Sequence, residues 1–202
     1  MTWIIADEDE DEFLREIHSY PDRVVALLGQ SIIDRRLETA IKGRWRNTGN
    51  IFESLFEPSG PLGSFSARIR IGFAISLYGK EAYNDLRRIN RIRNAFAHKL
   101  HAKHFNTQSI RDHANALVLP SLYPISKEDI ITTTVDEVHR ERFMWDWFLN
   151  TLKHSFLSGD PIDPRSRFLR TVEILTVFLW QEDYINRSPG IPEGAMPKSP
   201  RF

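Results

Sequence analysis

Cysteine is absent from all 202 residues. That excludes disulfides, thiolate metal sites and cysteine nucleophiles, and it suits a reducing compartment. Net charge is missing as well: 27 Lys and Arg balance 27 Asp and Glu, with a sequence pI near 7.1. The molecule as a whole therefore has no bulk attraction for nucleic acid or for an anionic membrane, and any such affinity has to be local. Long apolar runs are lacking, the stretch around residues 176 to 180 being far shorter than the roughly 18 residues of a membrane span. The opening Met-Thr-Trp-Ile-Ile-Ala, followed by acids over residues 7 to 12, has neither the basic start nor the apolar centre of a secretory leader. A cytoplasmic protein with no membrane partner is expected. Alternating strand patterns with hairpin turns are also missing, and only residues 130 to 135, rich in Ile and Thr, look strand-like.

What is present is helical. Hydrophobic residues make up 41% of the chain and aromatics 11%, ample for a core in one domain. Val24, Val25, Leu27, Leu28, Ile32, Leu37 and Ile41 recur at helical spacing behind Pro21, which suits a first helical turn. After the Pro- and Gly-rich break at residues 57 to 63, a second helix is expected over 64 to 77. A third follows over 81 to 100, close enough to its predecessor to form an antiparallel hairpin. Further helices are expected near 109 to 118, 135 to 157 and 165 to 182. The spacing predicts an all-α, single-domain multi-helix bundle over residues 1 to 185. Residues 186 to 202, with four prolines, form an irregular tail.

The helix over 81 to 100 carries the most chemistry. Leu86, Ile89, Ile92, Phe96 and Leu100 form a core stripe, which leaves Arg87, Arg91, Asn94, His98 and His101 on the opposite face with Arg88, Lys99 and Lys103 beside them. No acid occurs from residue 86 to residue 104, so a cationic ridge stands in a neutral protein. Phosphate-bearing partners favour such a ridge, and Arg87, Arg88, Arg91, Lys99, His101 and Lys103 are the candidate nucleic-acid contacts. The plainer alternative is a solvated face neutralised by the acids near residue 10. Arg93, Asn94 and His98 combine a fixed cation, an amide and a group that titrates near neutral pH, which is a minimal kit for phosphodiester chemistry. Asn94 and His98 share a face, whereas Arg93 and His98 diverge by about 140° at helical pitch. A working site would draw these residues from two copies of the helix across a two-fold axis, so a homodimer is expected.

Other constellations are weaker. His98, His101 and His104 lie three apart, but no carboxylate sits among them and lysines flank them, so no metal or other cofactor is expected. The Gly60-Pro-Leu-Gly63 turn lacks the lysine and spacing of a phosphate loop. Glu141, Asp146 and Glu173 pair at no diagnostic spacing. The cluster Phe143, Met144, Trp145, Trp147 and Phe148 is too crowded for one helix face, and part of it is expected against the tail or another subunit.

The Arg-x4-His pattern with a polar residue after the arginine, late in a helix, resembles the HEPN superfamily (higher eukaryote and prokaryote nucleotide-binding domains). Many of its members are metal-independent ribonucleases. A longer block runs from Gly60-Pro-Leu-Gly-Ser-Phe-Ser-Ala-Arg-Ile-Arg-Ile-Gly-Phe-Ala through Tyr83-Asn-Asp-Leu to Ile89 and His98. It resembles the mannitol operon repressor family over residues 52 to 98, and residues after about Leu119 find no counterpart in it. That resemblance implies a helical transcriptional regulator with no evident DNA-reading module, acting through a protein partner. The residues agree, since no zinc ligands, basic region or helix-turn-helix is evident, and the helix near 109 to 118 has Arg111 as its one Lys or Arg. The HEPN resemblance implies instead an endoribonuclease, a toxin or defence component with RNA as partner, using Arg93 and His98. A repressor that binds DNA directly is the third reading, and sequence-specific DNA is the least expected partner.

Overall fold

The computed structural model describes residues 16–45, 49–98, 104–122 and 163–187. These form helices joined by turns, with no strand among the described residues. A 3-10 turn at Ile17–Ser19 leads into α1 (Asp22–Arg44), followed by α2 (Asn50–Ser54), α3 (Phe65–Ala74), α4 (Lys80–His98), α5 (Gln108–Asn115), α6 (Leu119–Leu122) and α7 (Pro164–Arg187). The all-α bundle expected from the spacing is the architecture found. No described helix is long and apolar enough to cross a membrane.

Helix boundaries follow local chemistry. Pro21 stands at the N-cap of α1, one residue before the first turn in which it was expected. Ser64 caps α3, its Oγ accepting from the Ala67 amide at 3.2 Å. Helix α3 stops at Ala74, short of the expected residue 77, because the chain enters a Schellman turn. The Leu77 amide donates to the Gly72 carbonyl and the Ser76 amide to the Phe73 carbonyl, while Ser76 takes a left-handed φ of 56°. At α7, Asp163 accepts from the Ser166 amide at 2.9 Å with Pro164 as first helical residue. The helix then runs to Arg187, past the expected end at 182 and two residues into the stretch assigned to the tail. The expected helix at 135 to 157, the strand-like run at 130 to 135, the aromatic cluster, the acidic cluster near residue 10 and the Pro-rich tail lie outside the described residues.

The core forms where α1 packs on α7 and α4, with α3 and α5 closing its sides and α6 resting on α7. Gly29 lets α1 and α7 approach closely, since a Cβ there would lie 3.1 Å from Val172 Cγ2 and 3.2 Å from Phe168. Phe96, Phe105 and Phe168 pack through the centre, the first pair edge-to-face and the second tilted, with successive ring centroids 5.1 Å apart. Thr171 and Thr176, buried on α7, donate their hydroxyls to the carbonyls one turn back, so neither is left unpaired.

Polar hubs bind the elements, among them those at Arg68, Asp22 and Asp85. Arg68 on α3 is buried. Its Nε and Nη2 fork onto Asp34 of α1 at 2.7 and 3.0 Å, while Nη1 donates to the Leu62 carbonyl at 2.8 Å and lies 3.2 Å from Glu38. Asp22 accepts from the Phe105 amide and from Arg165, whose other nitrogen donates to the Tyr20 carbonyl. Asp85, fully buried on α4, accepts from the Val118 and Leu119 amides at 2.8 and 2.9 Å and from Arg88 at 3.0 Å.

Candidate functional site

The break before α3 is a rigid support. A Cβ on Gly60 would fall 2.3 Å from the Ser54 carbonyl oxygen, and one on Gly63 would fall 2.2 Å from that of Glu57, so both glycines are demanded by close backbone approach. The turn ends in the Leu62 carbonyl that Arg68 holds. Helix α3 is thereby fixed to α1, and residues 75 to 79 then return the chain as α4.

On α4, Leu86, Ile89, Ile92 and Phe96 are buried, and the facing residues Arg87, Arg91, Asn94 and His98 are exposed. Leu100, the last residue of the expected stripe, lies outside the described residues, as do Lys99, His101 and Lys103. Arg88 is half-buried and bridges to Asp85 at 3.0 Å, so its charge is partly met within the fold. Arg87 and Arg91 form no ion pair among the described residues. Burial pushes the Asp85 carboxyl up, opposed by the Leu119 and Val118 amides and by Arg88.

Arg93 is half-buried, and its Nη1 donates to Asn94 Oδ1 at 3.1 Å. Its Nε is buried and finds no hydrogen-bond partner among the described residues. The helical pitch turns Arg93 away from His98, while Asn94 and His98 share a face. No contact joins Arg93 to His98 directly among the described residues.

One grouping was missed by sequence reasoning. Phe73 of α3 stacks on Tyr83 of α4, with centroids 4.7 Å apart and planes 30° apart, and the Arg87 guanidinium lies 5.5 Å from the Tyr83 centroid. The available signal was that Phe73 falls off the buried α3 positions Phe65, Arg68, Ile69 and Gly72. Helix α5, by contrast, offers little outward chemistry: Arg111 donates to Gln108 Oε1, and Gln108 donates to the exposed Asp112 at 2.8 Å.

The fold and site together define an all-helical protein with a cationic face on α4. The model of the mannitol repressor family matches residues 28–145, more than half of the chain, and the chain belongs to that family. The match reaches beyond the expected block of residues 52 to 98 on both sides, and it corrects the reading that nothing after about Leu119 has a counterpart. Searches of curated proteins and of solved structures return no match.

Proposed function

We propose that this chain is a repressor-type regulator of the mannitol-repressor kind that acts through a protein partner rather than by reading duplex DNA. The observation that carries the reading is the state of α5. It is eight residues long, its arginine is engaged by its own Gln108, and its outer face presents Asp112. A recognition helix needs free donors aimed at base edges and cations for the flanking phosphates, which α5 does not present; α4 does expose Arg87, Arg91 and Asn94, so a gel shift decides whether that face reads bases. The test pairs a reporter driven by the mannitol operon with a gel shift on its control region. The expected results are derepression on deletion of the gene and equal, weak retardation of operator and scrambled fragments. Preference for the operator by the 10³-fold or more typical of specific binders would overturn the reading in favour of direct DNA binding.

A second reading, a HEPN-like endoribonuclease, is supported by the bond from Arg93 to Asn94, which joins two of the three candidate residues on the helix that exposes His98. In that chemistry His98 takes the proton of the RNA 2′-hydroxyl, which attacks phosphorus as the bond to the 5′-oxygen breaks, and the leaving 5′-oxygen takes a proton from the imidazolium or from water. Arg93 stabilises the charged phosphorane, Asn94 orients the phosphate or His98, and the product ends in a 2′,3′-cyclic phosphate. A homodimer would supply Arg93 and His98 from both protomers. End-labelled RNA incubated in chelator with wild type, His98→Ala and Arg93→Ala tests it. Cleavage by wild type alone supports it, and intact RNA in all three reactions removes it.

A further inference from the structure

We propose that the exposed Phe73 and Arg87 on either side of the half-buried Tyr83, flanked by Arg70 and Arg91, form a docking site for single-stranded RNA. In this site a base stacks on Phe73, and phosphates lie along the arginines. The inference goes beyond the protein-contact reading and does not rest on it.

A single exposed phenylalanine is ordinary on a protein surface. Phe73, 41% exposed, is not isolated: it continues a row of planar groups in which Tyr83 and then Arg87 follow. Two helices of a braced hairpin hold the row. Phe73 is fixed on α3, whose Arg68 is locked to α1, and Tyr83 is fixed on α4, so little ordering remains to be done when a further planar group joins. Every base presents a π-face, which is why aromatic platforms beside cations take single strands with little sequence preference.

Arginines flank the row on both helices; of the two acids on α4, Glu81 is exposed in its first turn and Asp85 is buried. Arg70 is exposed one turn before Phe73 on α3, and Arg91 is exposed one turn after Arg87 on α4. Helix α3 contains no acid, and α4 contains none from Leu86 to its described end. None of Arg70, Arg87 and Arg91 enters an ion pair among the described residues. In a chain of formal net charge +0, this concentration of free guanidinium beside π-faces complements a polyanion that carries planar groups. RNA offers such bases unstacked in loops and ends, whereas a duplex turns them inward. An acidic polypeptide would match the arginines and leave the aromatic face without a role.

The test is fluorescence anisotropy of a labelled oligoadenylate of about 12 nucleotides, within the range that single-strand sites cover. It is run in chelator with wild type and with His98→Ala, so that binding is read apart from any cleavage. Binding is expected to weaken by about 10-fold in Phe73→Leu and to persist in Phe73→Trp, since only the π-face is lost in the first. Arg70→Gln/Arg91→Gln is expected to weaken binding and to flatten the log–log salt slope by about 1.4, or ~0.7 per lost phosphate contact. Urea midpoints close to that of wild type establish that the variants are folded. Absence of binding, equal affinity of wild type and Phe73→Leu, equal affinity for duplex RNA, or displacement by polyglutamate at equal charge concentration would each overturn the proposal.

Discussion

Ser76 holds a backbone conformation that suits glycine. Its φ of 56° lies at the C′ position of the Schellman turn that ends α3, where a Cβ costs roughly 1 kcal/mol. Ser76→Gly removes that cost but adds freedom to the unfolded chain, so a net gain of about 0.5 kcal/mol and a rise in Tm of about 2 °C are expected by calorimetry. Asp85 supplies a prediction in pH. Burial raises its folded carboxyl above the ordinary value of 3.8, so between that value and its folded value the native state holds a proton that the unfolded state has released. Stability contributed by this group is therefore full below the window and falls as pH rises through it. Relative to Asp85→Asn, whose side chain does not titrate, wild type is expected to lose stability across that window in urea titrations run at stepped pH. Neither residue was legible beforehand. A serine in a left-handed turn breaks the preference for glycine, and the backbone amides that Asp85 accepts from stand 33 and 34 residues away.

At the scale of elements, periodicity served well where a helix was long and one-sided. The buried Leu86, Ile89, Ile92 and Phe96 determine which side of α4 is wet, so the exposure of Arg87, Arg91, Asn94 and His98 was readable from spacing. The short α2 and α6 offer too few residues for a period to show. The hubs at Arg68 and Asp22 join residues distant in sequence, about which a local pattern is silent. Arg68 couples α3 to α1 and to the turn before it, and the coupling depends on a planar fork. Arg68→Lys keeps the charge but cannot reach both Asp34 oxygens and the Leu62 carbonyl together. A loss of about 2 kcal/mol is expected in chemical denaturation, and Arg68→Ala is expected to lose about 3. The same brace positions the Phe73 ring, so Arg68→Lys should also loosen the contact between Phe73 and Tyr83.

For the whole molecule, the decisive pairing is between the first and last described long helices. Val25, Ala26 and Ile33 of α1 and Phe168, Val172 and Leu175 of α7 are buried together in one core cluster. A chain cut after Leu122 would keep α1 to α6 but leave the α1 surface that faces α7 in water. Such a fragment is expected to show low helicity, a broad thermal transition and strong binding of an apolar dye, in contrast to the cooperative unfolding of the full chain.

The bond from Arg165 to Asp22 spans 143 positions along the chain. At a synthesis rate of about 5–20 residues per second, α1 leaves the ribosome roughly 7–30 s before the helix that covers it. During that interval the nascent chain displays a greasy stripe with no lid, which is the surface that holdase chaperones grip. The order of birth of its helices therefore predicts transient chaperone contact with the nascent chain until α7 emerges, to be checked by crosslinking ribosome-bound chains stalled before and after that helix.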